Sequence, residues 1–110
     1  MQNLKLILEQ LNIPVAYDHF NTPISPPFVA FRRYSQDNYG ADNVVFKKIN
    51  RYYIELYTEY KDVVLEEALE SILTDNDIFY NVESETYIDT EQMYEVVYSI
   101  NYNETDIASI

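Results

Sequence analysis

His19 is the only histidine among 110 residues, and Asp18 beside it is the kind of carboxylate that orients an imidazole for acid–base work. A serine triad would also need a nucleophile on a sharp strand-to-helix turn, and no Gly-x-Ser-x-Gly stretch occurs. With no cysteine in the chain, neither a Cys–His nucleophile nor a Cys/His zinc site can be built. Glu83, Glu85, Glu91 and Glu95 could supply paired carboxylates, but their spacing across a hairpin reads as a solvated strand face. Phosphate-cradling glycine loops and EF-hand spacing are also missing. These residues assign no catalytic group, no metal ligand and no cofactor; the expectation is a protein that is not an enzyme, with His19 as a half-buried strand residue.

Charge is the next lead. The net charge is −12, and it is unevenly placed. Residues 1–60 carry six basic and six acidic groups, whereas 61–110 set Lys61 against thirteen acids. Five of the seven basic residues fall between Arg32 and Arg51. Such a chain repels phosphate over much of its surface, so nucleic-acid binding is not expected. Arg32, Arg33, Lys47, Lys48 and Arg51 lie on strands that form one hairpin; they read equally as scattered solvated charges or local partners of the chain's own acids, and as a positive patch able to meet the acidic half of a neighbouring copy. Together with Tyr39, Asp42, Glu66 and Glu70 they form the candidate subunit or partner interface. Twelve tyrosines and five phenylalanines with no tryptophan suit half-buried sheet positions and protein interfaces.

The elements that must position these residues follow from hydrophobic period. Leu4, Ile7, Leu8 and Leu11 predict a short amphipathic helix over 2–12, ended by Pro14. Val15 to Phe20 and Phe28 to Tyr34 read as strands, separated by a loop with three prolines. Ser35 to Asn43 reads as a polar loop, with Gly40 placed for a positive φ. Val44 to Ile49 and Tyr52 to Glu59 read as one long strand, bulged near Asn50. Asp62 is the expected N-cap of a helix over 62–73 whose stripe is Leu65, Ala68, Leu69 and Ile72. Phe79 to Tyr87 and Gln92 to Tyr102 are the last strands, turning at Ile88 to Glu91. Tyr94, Val96, Tyr98, Ile100 and Tyr102 share one face. The expected fold is α+β: a mainly antiparallel sheet of about four or five strands with two helices packed on one face.

At this length one domain is expected, 1–110 with 103–110 as a loose tail, burying about two-thirds of its unfolded surface. The N-terminal apolar run is broken by Lys5 and is too short for a signal sequence or a membrane span. The lack of cysteine suits a reducing compartment.

The residues of this chain resemble the tail terminator and tail completion proteins of long-tailed bacteriophages and their prophages, from Leu4 to about Tyr102. The resemblance rests on the N-terminal helix, Val-Ala-Tyr-Asp-His-Phe (15–20) and Pro-Pro-Phe (26–28). It continues through Tyr-Gly-Ala-Asp-Asn (39–43) and Asn-Arg-Tyr-Tyr-Ile-Glu-Leu-Tyr-Thr (50–58). Lys-Asp before a helix with Leu-Glu-Glu-Ala-Leu, and Tyr-Ile-Asp-Thr-Glu-Gln-Met-Tyr-Glu-Val-Val-Tyr (87–98), complete it. It is nearest to a small family of Gram-positive phages. The resemblance implies an α+β subunit of a hexameric ring that caps the tail tube and presents the head–tail joining surface. The implied partners are further copies of itself, the tail tube protein and the head completion or connector protein. The implied location is the virion neck, after assembly in the host cytoplasm, with no membrane. The alternative from another class is an acidic DNA mimic that blocks a DNA-binding protein, motivated by the thirteen acids after Tyr60.

Overall fold

The computed structural model describes residues 3–41 and 44–102, with side chains described outside 38–48. Two side-chain caps start the helices. Asn3 and Asp62 accept from the backbone N–H of Leu6 and Leu65 at 2.9 and 3.0 Å, satisfying amides that a first helical turn leaves open. Helix α1 (Leu4–Leu8) tightens into a 3₁₀ turn over Glu9–Leu11, closed by Asn12 at φ 60°. Helix α2 spans Val63–Asp75. The strands are β1 (Val15–Tyr17), β2 (Phe28–Ala41), β3 (Val44–Thr58), β4 (Tyr80–Ile88) and β5 (Met93–Asn101).

They form one sheet in the order β1-β2-β3-β5-β4. β1 runs parallel to β2 and every other neighbour is antiparallel. Leu4, Ile7 and Leu8 of α1 and Leu69 and Leu73 of α2 pack against Val29, Phe31, Ile54, Leu56, Val96, Tyr98 and Ile100. These strand residues alternate along β2, β3 and β5, so both helices cover the same face, as the period-two pattern requires. The architecture is the α+β arrangement expected.

Four local expectations need correction. Of the expected loop Ser35–Asn43, residues 35–41 are strand: β2 continues to Ala41 and β3 starts at Val44. β5 pairs with β3 only from Arg51 to Thr58, so 35–41 and 44–50 project beyond the sheet as a two-stranded arm. The partner strand supplies the backbone hydrogen bonds that the polar sequence conceals. The bulge is not at Asn50, because the register slips instead between Arg33 and Ser35 and between Tyr39 and Gly40. Gly40 lies within β2; the left-handed residues are Asn12, Asp18, Asp77 and Gln92, positions where a polar side chain tolerates that region. On α2, Ala68 is exposed, and Glu66 takes a place in the buried face with Leu69 and Leu73. The expected tail, 103–110, and Asp42 lie outside the described residues.

Candidate interaction surface

Two acidic residues of α2, Glu66 and Glu70, turn toward the sheet, while Glu67 and Asp75 stay exposed. Glu66 is buried, 8% exposed, and its Oε1 accepts from Lys61 Nζ at 2.8 Å. Lys61 also pairs with Glu85 on β4 and lies over the Tyr94 ring. The hydrogen bonds it donates to these two carboxylates hold its ammonium well above the usual lysine range. Glu70 accepts from the Tyr98 hydroxyl at 2.9 Å and the Tyr80 hydroxyl at 3.2 Å. Tyr98 is completely buried, and burial, then the bond to Glu70, keeps its phenol far above the ordinary tyrosine value. Glu66 and Glu70 therefore fasten α2 to β5 and β4.

The opposite face carries the alternate residues of the same strands. There Tyr34 stacks on Tyr53 with centroids 4.0 Å apart, and the Arg32 guanidinium sits 5.2 Å from the Tyr53 centroid. Arg32 Nε is also 3.8 Å from Glu55. Tyr57 donates to Glu95 at 2.7 Å, with Glu55 at 3.2 Å from the same hydroxyl. Burial pushes the Glu55 carboxyl up; the Tyr57 hydrogen bond opposes this, and the charge of Glu95 adds to it. Burial and the two carboxylates hold the Tyr57 phenol far above its ordinary value.

Next to this cluster the 18–24 segment bends over the face, starting from the left-handed Asp18 at φ 69°. Phe20 meets Phe28 edge-on at 5.4 Å, and Phe28 stacks on Tyr57 at 4.8 Å. Between the segment and β5 lies a groove of about 400 Å³, lined by these rings, by Ile24 and Met93, and by Asp18, Glu55 and Glu91. Asp18 holds His19 Nδ1 at 2.9 Å, and both side chains are more than half exposed at 53% and 69%. The expected half-buried histidine is thus a rim residue.

The nine candidate interface residues do not share one surface. Arg32 lies on the open face and Arg33 reaches Asn50 Oδ1 at 3.5 Å, on the side bearing the helices. Arg51 is paired with Asp37. Tyr39 and Lys47 are register partners on the arm, with Lys48 opposite Asn38; Asp42 lies outside the described residues. Sequence reading missed the groove and the role of Glu55 and Tyr57. The only signal was polar Glu55 and aromatic Tyr57 on the face opposite Ile54 and Leu56. Among the described residues, no three His, Asp or Glu side chains converge as metal ligands, and no helix is long and apolar enough to cross a membrane. No protein-family model matches this chain, and no curated protein is significantly similar to it.

Proposed function

We propose that this chain is a structural subunit of a phage tail: a completion or terminator protein that rings the end of the tail tube and offers the joining surface to the head. The observation that carries the reading is the projecting two-stranded arm, 35–41 paired with 44–50, while the residues outside 35–50 carry the whole net charge of −12. A subunit with two unlike ends suits the head-to-tail contacts of a closed ring. The order of segments that resembles the tail completion family supports the same role. Its partners would be five further copies in a hexamer, the tail tube protein and the head connector; the role needs neither a catalytic group nor a cofactor.

The DNA-mimic reading is less well supported. A phosphate mimic presents free carboxylates, whereas Glu66, Glu70, Glu83, Glu85 and Glu95 accept bonds from Lys61, Tyr57, Tyr80, Tyr98 or Ser99. The test is to mix the purified chain with tail tubes lacking their terminator and image the tube ends. A ring of density at one end, with restored head joining, is the expected result. Bare tube ends at saturating protein, with inhibition of a DNA-binding enzyme instead, would overturn the proposal in favour of mimicry.

A further inference from the structure

The groove beside β3 has the composition of a cation site, and we infer that it receives a basic side chain from an extended segment of a partner protein. The inference goes beyond the tail reading and does not depend on it. At about 400 Å³, the groove is within the size range of ligand sites. Phe20, Phe28 and Tyr57 wall it; its lining has the carboxylates of Asp18, Glu55 and Glu91 and, among the described residues, no lysine or arginine. Rings and carboxylates together favour a cation on an apolar stem, the form of a lysine or arginine side chain. The acids stand at two depths. Glu55 is only 18% exposed, so it meets only a group that enters. Asp18 is 53% exposed, and Glu91 lies in the exposed turn before β5. Glu55 also has acceptor capacity to spare. Arg32 Nε stops 3.8 Å from it, beyond hydrogen-bond length. The single proton of the Tyr57 hydroxyl has Glu95 nearer, at 2.7 Å, than Glu55, at 3.2 Å. An entering cation would complete a carboxylate that the fold has partly desolvated and left short of donors.

Charge decides who brings that cation. Within the chain, the described basic side chains are already engaged. Lys5 and Arg51 face Glu9 and Asp37, and Lys61 faces Glu66 and Glu85; Arg33 reaches Asn50. A second copy arrives with its own net charge of −12 and is repelled, whereas a basic partner is drawn by the same field. A free monovalent cation would balance one carboxylate and leave the others. A segment with two basic residues can set one on Glu55 and the other against Asp18 or Glu91 at the rim, and the second contact forms without a second association. An extended chain turns residues i and i+2 to the same side, so the pattern that fits is basic-x-basic.

The test titrates the full chain with three probes: a blocked Gly-Arg-Gly-Arg-Gly peptide, the same peptide with glutamine for arginine, and n-butylguanidinium. Backbone amide shifts at 18–24 and 91–93 report the site. The arginine peptide should move these amides and bind about tenfold tighter than n-butylguanidinium, and the glutamine peptide should leave them unmoved. Glu55→Gln and Glu91→Gln should each weaken the arginine peptide about tenfold. Glu67→Gln makes the same change of charge at an exposed position of α2 and should alter affinity by less than about twofold, because a distant surface charge is screened. The melting temperature of Glu55→Gln checks its fold, and Glu91→Gln, at the surface, tests the site independently of it. Equal weakening by Glu55→Gln, Glu91→Gln and Glu67→Gln, or shifts spread over the acidic surface, would reduce the binding to net charge and overturn the inference. An n-butylguanidinium affinity equal to that of the peptide would overturn the assignment to a partner's segment. No tail tube enters these measurements, so their failure leaves the phage role standing, and bare tube ends in the earlier test leave this site standing.

Discussion

Replacing Glu70 with alanine should loosen α2 from the sheet far more than a half-exposed helix position ordinarily would. The carboxylate accepts from two tyrosines, and only one loss is severe. Tyr80 is partly exposed and can turn to water. The Tyr98 hydroxyl, 2.9 Å from Oε2 on a residue with no exposed surface, has no such route. A buried donor left unmade costs about 1–3 kcal/mol, and the better helix propensity of alanine returns about 0.4 kcal/mol. A net loss of about 2 kcal/mol is expected, a fall in Tm of roughly 10 °C for a domain of this size. Tyr98→Phe alone should cost less than about 1 kcal/mol, because Glu70 keeps Tyr80 and water. The double substitution should then be no worse than Glu70→Ala, and better if the orphaned hydroxyl is the cause. Urea unfolding of the four proteins, followed by far-ultraviolet circular dichroism, gives the coupling directly. Additivity within about 0.5 kcal/mol would refute the reasoning and assign the loss at Glu70 to the helix itself.

Leu69→Asp, which puts a charge where the side chain is fully buried, should destabilise by several kcal/mol, on the order of 3–5; a Tm near wild type would show that α2 does not pack as described. Alkaline titration should unfold the protein early. Tyr57, Tyr80 and Tyr98 are all held above the ordinary phenol value of 10.0, chiefly by burial, so their contribution is full below that pH and is lost as pH rises through the folded values. Triple replacement by phenylalanine should flatten the loss above about pH 10, and an unchanged profile would count against it. Glu55→Gln works in the opposite pH range: the Glu55 carboxyl is raised above 4.5 by burial, so its contribution is present below that value and lost as pH rises. The variant should equal or exceed wild-type Tm at about pH 7 and lose that advantage near pH 4; a lower Tm at neutral pH would mean that the Arg32 contact outweighs the burial.

What the sequence disclosed was whatever touches the core. Val96, Tyr98 and Ile100 alternate because one face of β5 is buried, and Asp62 announces α2 because a cap has a fixed offset from the amide it bonds. The arm escaped notice for the converse reason. Ser35, Gln36, Asp37 and Asn38 are poor strand formers in isolation, and only the paired β3 gives their backbone a ladder. Glu66 is charged, so the apolar period of the helix passes over it. It stands three before Leu69 and seven before Leu73, on the buried side, and its partner Lys61 lies five residues earlier, outside helical pairing distance. The groove depends on a non-regular segment, 18–24, whose course follows from Asp18 in the left-handed region, and no hydrophobic period encodes that.

The surplus of tyrosine and the surplus of acid are linked by hydrogen bonding. A phenol packed into a sheet contributes apolar area but brings a hydroxyl that must find an acceptor. Carboxylates are acceptors that donate nothing when ionised, so one can serve two phenols or share one. Glu70 serves Tyr80 and Tyr98, and Glu55 and Glu95 share Tyr57. The acids in these bonds are therefore committed to holding the fold, and they add little to what an approaching molecule meets. Exposed acids that make none of these bonds, among them Glu59, Glu67, Asp75, Asp77, Asp89 and Glu91, are what an approaching molecule meets.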